Sequence, residues 1–141
     1  MEVLDLGCGW GSFASFVAEH YPNCRVTAVS NSRTQRAFME ARCDREGWAP
    51  VEVLTADAAV FDPGRHRFDR VVSVEMFEHM RNWGALFDRI AAALRPGGAF
   101  FQHVFCPAAI PTSSKTPGKA TGWCGTSSRA ASCRATTCRD R

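Results

Sequence analysis

The chain has 141 residues, 45% hydrophobic and 11% aromatic, the make-up of one folded domain and not of a disordered or fibrous polypeptide. No apolar run approaches the ~20 residues of a membrane-spanning helix, and the N-terminus MEVLDLGCGWG lacks the basic stretch and apolar core of an export signal, so a cytoplasmic location is the expectation. The net charge of +3 is unevenly spread: residues 1–106 carry 11 Arg against 13 Asp and Glu, whereas residues 107–141 carry 2 Lys and 4 Arg against Asp140 alone.

Strand and helix signals alternate along the first 106 residues. Val3-Leu4-Asp5-Leu6 is a short apolar run entering a glycine-rich turn, which predicts a buried strand. A helix is expected from about Gly11, with Phe13, Phe16, Val17 and Tyr21 on its inner face and Pro22 beyond its end. Arg25–Val29 reads as a second strand. Asn31 or Ser32 caps a helix running to about Glu46, with Ala37, Phe38 and Ala41 inward. Val51–Leu54 and Phe68–Val74 read as the third and fourth strands. From about Asn82, the residues Trp83, Leu86, Phe87, Ile90, Ala91 and Leu94 recur at helical spacing. Arg95-Pro96-Gly97-Gly98 ends that helix, and Ala99–Phe105 forms a fifth strand. This alternation predicts an α/β fold with a parallel sheet covered on both faces.

After Cys106 the periodicity stops. Residues 107–141 are rich in Ala, Thr, Ser, Arg, Pro and Gly, a composition that predicts a disordered basic tail. The seven cysteines are odd in number and lack C-x2-C spacing, which argues against both a disulfide framework and a zinc site. No metal is expected.

Asp5-Leu6-Gly7-Cys8-Gly9-Trp10-Gly11 leads from a strand into a helix. Glycines there let the backbone approach a ligand, and free amides at the helix start favour its polar groups. A G-x-G-x-G string alone fits a plain tight turn equally well. The wider pattern is more specific. VLDLGCGWGS resembles motif I of class I S-adenosylmethionine-dependent methyltransferases. GCGWGS is the form found in the cyclopropane-fatty-acyl-phospholipid synthase family, with coclaurine-type N-methyltransferases close to it. VTAVSNSRTQRAF, LTADA, FDRVVSVEMFEHMRNW and LRPGGAFFQHVFC follow in that family's order. The resemblance covers nearly all of residues 2–106 and implies a Rossmann-like core with strand order 3-2-1-4-5.

It also implies a cofactor, S-adenosylmethionine. Carried over by position, Asp5, Gly7, Gly9 and Gly11 cradle its methionine part, with Cys8 and Trp10 in the same loop. Many methyltransferases hold the ribose with an acid ending the second strand; here Ser30, Asn31 and, one helical turn on, Gln35 stand instead. Asp57, with the Ala58 backbone, meets the adenine. Val74 ends the fourth strand beside the cofactor.

Glu75, Glu78 and His79 leave that strand where the crevice of such a fold opens. They could equally be a helix cap near Asn82 and a core histidine. The resemblance favours catalysis, with Glu78 or His79 taking the proton from an amine acceptor. For a lipid alkene, it implies a bound bicarbonate as base, held by Glu78 and His103. His103 in mid-strand could otherwise face solvent. The expected partners are a small-molecule or lipid acceptor, with peripheral membrane contact in an intact parent, and no nucleic acid.

The resemblance breaks at Cys106. The family continues with a string such as HRRYPYLFED, whereas this chain reads PAAIPTSSKT. One base lost just after the Cys106 codon converts the first string into the second, so residues 107–141 are expected to derive from a shifted frame. The family also has a segment before VLDLGCG and strands after the fifth. A non-catalytic remnant, with residues 1–106 a partial cofactor-binding core, is therefore the rival to an active transferase.

Overall fold

In a computed structural model, the structure describes residues 1–48 and 50–105; the expected tail, residues 107–141, lies outside them. The elements in chain order are β1 (Glu2–Leu6), α1 (Ser12–His20), β2 (Arg25–Ser30), α2 (Arg33–Glu46), β3 (Val51–Thr55), β4 (Phe68–Val74), a 3₁₀ turn (Phe77–His79), α3 (Trp83–Ala93) and β5 (Leu94–His103). They form a five-stranded sheet in the order β3-β2-β1-β4-β5, and each of its pairings is parallel. This is the Rossmann-like methyltransferase arrangement that the sequence predicts.

Side chains that alternate between the two faces along each strand divide the core in two. Val3, Val26, Ala28 and Val53 face α1 and α2, packing with Ala14, Val17 and Met39. Leu4, Leu6, Val29 and Val71 face the other way and pack with Phe77 and with Leu86, Ile90 and Ala93 of α3. No helix joins β3 to β4; Ala56, Ala58 and Phe61 from that connection pack against the α3-side core.

Three expected helix faces shift. In α1 the buried residues are Ala14, Ser15, Val17 and Ala18, whereas Phe16 and Tyr21 are about half exposed. Small side chains make up the buried face of α1, and Phe16 instead stacks on His20 at 4.3 Å. In α2 the inward pair is Met39 and Cys43, one turn apart, and Ala37, Phe38 and Ala41 are exposed. In α3 Leu86 and Ile90 are buried as expected, but Ala93 and not Ala91 completes the face.

The fifth strand begins earlier than expected. Leu94 already pairs with Phe68, and pairing resumes at Ala99 opposite Arg70, so Arg95–Gly98 bulge out of the ladder. Pro96, which has no amide to donate, and Gly97 at φ 78° sit in that bulge. β5 is one of the two sheet edges among the described residues, β3 being the other, and none of its residues is buried.

Candidate functional site

The carboxyl ends of β1, β2, β3 and β4 open into a crevice of about 350 Å³, the place where parallel α/β sheets bind ligands. The turn after β1 forms one wall. Gly7 and Cys8 both donate their amides to the Val29 carbonyl at 2.9 Å, and Gly11 donates to Cys8 at 2.8 Å. These bonds lock the loop to β2. Gly7 has φ 85°, and a Cβ there would stand 2.6 Å from Cγ of Met76. Gly9 has φ 55° with no atom within 4 Å of a built Cβ, so its backbone faces open space. Gly11 opens α1 and packs against Met39.

Of the residues singled out from sequence, Gly7, Gly9, Ser30, Asn31, Gln35, Asp57, Ala58 and His79 line this crevice together. Ser30 is buried; its hydroxyl donates to Oε1 of Gln35 and accepts the Ser32 amide at 3.1 Å. Ser32, not Asn31, caps α2, accepting the Gln35 amide at 3.3 Å. Gln35 is thereby held at the wall with its amide nitrogen to offer a ligand. Asp57 closes its own turn, one carboxylate oxygen accepting the Ala59 amide at 2.8 Å.

The other candidates lie around the crevice without lining it. Asp5 is buried beneath the loop, 2% exposed. Burial pushes its carboxyl up to about 7, against a smaller downward pull from the Ala14 amide. Burial, and then the Asp5 charge, push the adjacent Cys8 thiol up to about 12, so Cys8 stays protonated and inert. Trp10 turns outward, edge-on to Phe38 at 5.2 Å. Val74 and Glu78 are exposed beside the opening.

His103 is exposed at the rim, its Nδ1 3.9 Å from Oε1 of Glu75. Glu75, and not Glu78, is thus the carboxylate that shares the rim with His103 and lines the crevice with His79. Neither acid caps α3: Asn82 does, accepting the Ala85 amide at 3.1 Å. Glu75 has φ 52°, a left-handed conformation that side chains rarely adopt. Its amide donates to the His103 carbonyl at 2.9 Å, which holds the kink against β5. Met76 and Met80 add apolar wall on the same side. Sequence reasoning placed Glu75 at the crevice with Glu78 and His79 but gave it no role of its own, because an acid just ahead of a helix is an ordinary cap and the backbone angle that sets it apart has no sequence signal.

The donor set fits S-adenosylmethionine on three counts: the open backbone at Gly9, the polar wall of Ser30 and Gln35, and an Asp5 carboxylate oxygen, Oδ2, that has no hydrogen-bond partner among the described residues.

Residues 3–98 match the family model described as a methyltransferase domain. The chain is 40% identical over 105 residues to (S)-coclaurine N-methyltransferase of Thalictrum flavum subsp. glaucum, a match covering 74% of this chain and 29% of that protein. It is 38% identical over 105 residues to cyclopropane-fatty-acyl-phospholipid synthase of Escherichia coli, covering 73% and 26%. Among solved structures, coclaurine N-methyltransferase bound to N-methylheliamine and SAH superposes with a TM-score of 0.69 at 40% identity, covering 72% of this chain and 29% of that one. An O-methyltransferase of Brevibacillus brevis in complex with S-adenosyl-L-homocysteine gives 0.66 at 26% identity, covering 71% and 34%. The chain therefore spans less than a third of the length of the curated relatives it matches.

Proposed function

Because the chain belongs to the class I S-adenosylmethionine-dependent methyltransferases, its residues 3–98 matching their domain, we propose that its crevice binds S-adenosylmethionine and presents an amine acceptor to it. The observation that carries the choice of acceptor is Glu75, a carboxylate in the crevice wall at φ 52°. Holding a non-glycine residue there costs roughly 1–3 kcal/mol. Glycine would relieve that strain, and Glu75 caps nothing in return. A carboxylate kept at such a site suits a cationic partner.

When bound, the cofactor supplies a methyl group on a sulfonium, already activated toward displacement. The protein's part is then positioning and proton removal. Gly7 and Gly9 admit the methionine end, Ser30, Asn31 and Gln35 stand at the ribose, and Asp57 with Ala58 stands at the adenine. An amine nitrogen attacks only through a free lone pair. Glu75 draws the protonated amine in, and His79, on the same wall, takes the proton. Met76 and Met80 give the acceptor's carbon skeleton an apolar surface.

A second reading has support from the relationship to the lipid synthase: a methylene bridge built on an unsaturated acyl chain, with bicarbonate held by Glu78 and His103. Glu78 stands outside the crevice and His103 faces Glu75, so the arrangement favours the amine.

The test is methyl transfer from labelled S-adenosylmethionine to a panel of secondary amines and to unsaturated phospholipid vesicles, alongside calorimetry with S-adenosylhomocysteine. Glu75→Gln is expected to lower amine turnover at least tenfold and to leave S-adenosylhomocysteine affinity within about twofold. Unchanged amine turnover in that variant refutes the role of Glu75. Cofactor binding without transfer to either acceptor marks a non-catalytic binding domain.

A further inference from the structure

Asp5 sits one residue before the end of the central strand, in register with Ala28 of β2 and Val72 of β4. It is almost completely enclosed, yet its Oδ2 has no hydrogen-bond partner among the described residues. A buried carboxylate in that state is costly. It has two remedies: it keeps a proton, or a cation arrives nearby.

Few groups could influence that choice. The loop brings the Cys8 thiol, which is protonated. α1 brings the Ala14 amide, and the flanking strands bring Ala28 and Val72, none of them charged. The titratable groups that line the crevice are Asp57 beyond β3 and Glu75 and His79 beyond β4. None of these supplies a cation to Asp5 from its own element. The loop that begins two residues after Asp5 forms the crevice wall through Gly7 and Gly9. The methionine end of S-adenosylmethionine carries a cationic ammonium and a cationic sulfonium alongside a single carboxylate.

We propose that Asp5 makes cofactor binding proton-linked: the free protein holds a proton on this carboxyl, the cationic methionine end of the cofactor selects the ionised form, and binding expels the proton to solvent. The proposal rests on the cofactor reading above. Its physical basis is the missing partner of Oδ2, and the upward push of burial on the carboxyl sets the pH range near neutrality. Cofactor affinity rises with pH through that range and levels off above it. The proton leaves to solvent and the ligand's ammonium takes its place as the positive group facing the Asp5 carboxylate, while the ligand's own carboxylate keeps its charge throughout.

Calorimetry of the whole chain with S-adenosylhomocysteine, which keeps the ammonium but not the sulfonium charge, reads the linkage directly. Titrations run in two buffers of different ionisation heat give the number of protons released. We expect about half a proton per ligand at pH 7 and an affinity gain of about tenfold between pH 6 and pH 8. Asp5→Asn is expected to abolish the release and flatten the pH profile. Carbon-13 titration of the wild-type aspartate carboxyls supplies a readout that needs no variant: one midpoint lies near neutrality in the free protein and drops out of that range in the complex. Binding without proton release overturns the linkage and leaves the cofactor reading standing. Release that persists in Asp5→Asn assigns it to another group, with His79 the first to examine, and overturns the proposal. Absence of any binding between pH 6 and pH 8 overturns the cofactor reading itself.

Discussion

Two aspartates set opposite limits on stability. Asp5 is the less common case, an acid whose folded pKa, about 7, lies above its value of 3.8 when unfolded. The folded state holds the extra proton, so the stability contribution of Asp5 is fully present below about pH 4. It is lost as pH rises through about 7. Summed over that range the loss is on the order of 4 kcal/mol, a large part of a domain stability of roughly 5–15 kcal/mol. Asp69 behaves the other way. Its carboxylate accepts the Glu2 amide at 2.7 Å and Nη1 of Arg95 at 2.9 Å, and these bonds hold its pKa below the usual carboxylate range. Its contribution is present above the unfolded value and is lost as pH falls through the folded one. Urea unfolding of the ligand-free protein should therefore give a higher midpoint at pH 5.5 than at pH 8. Asp5→Asn should remove most of that difference by gaining stability at pH 8. An equal slope in the two proteins would show that Asp5 is ionised throughout.

Among the elements, β5 is the exposed one. Its side chains alternate between half-buried and exposed, and Phe101 is 57% exposed on the outward-facing set, with Phe105 just beyond at 69%. No lysine or proline interrupts the run from Ala99 to Phe105, so among the described residues this edge carries neither of the residues that commonly block pairing with another chain. Phe101→Lys is expected to reduce self-association, read by sedimentation or light scattering, at little cost to the melting temperature. A variant that associates as readily as the parent would refute the open edge as the cause. The helices show what a sequence can convey at this scale. α3 was legible because its apolar residues are numerous and leave one possible face. In α2 the apolar residues Ala37, Phe38, Met39, Ala41 and Cys43 fit more than one face, and only contact with the sheet selects Met39 and Cys43. In α1 aromatic bulk suggested burial, but the face turned to the sheet carries Ala14, Ser15, Val17 and Ala18, and Phe16 lines an apolar groove that Phe100 and Phe101 share. Periodicity finds a helix; contact with the sheet decides which residues it buries.

The strand order of the whole molecule was legible because short apolar strands, each ending in a turn, leave few parallel arrangements, and the resemblance singled out one. The shared crevice wall was legible for a related reason: Gly7, Gly9, Ser30, Asn31 and Asp57 all fall at strand ends, and that topology brings strand ends together. The side of the crevice beyond β4 was less so, because the approach of His103 to Glu75 depends on a backbone kink that residue identity does not encode. The all-parallel sheet also has a consequence in time. Among the described residues it contains no hairpin, so no two of these strands can zip together from a tight turn. β1 occupies the middle, and its contacts with β4 join residues 67 apart in sequence. As the chain leaves the ribosome, β1, β2 and β3 can assemble with α1 and α2 while the other edge of β1 stays bare. It remains so until β4 has been synthesised, and closing so long a loop slows the final step. Pulse-labelled hydrogen exchange during refolding should find the amides of Val26–Val29 protected before those of Phe100–Gln102. The reverse order would mean that β4 and β5 nucleate the sheet. In the interval a half-formed sheet offers an apolar central strand to its surroundings, and the yield of folded protein depends on what meets that strand first.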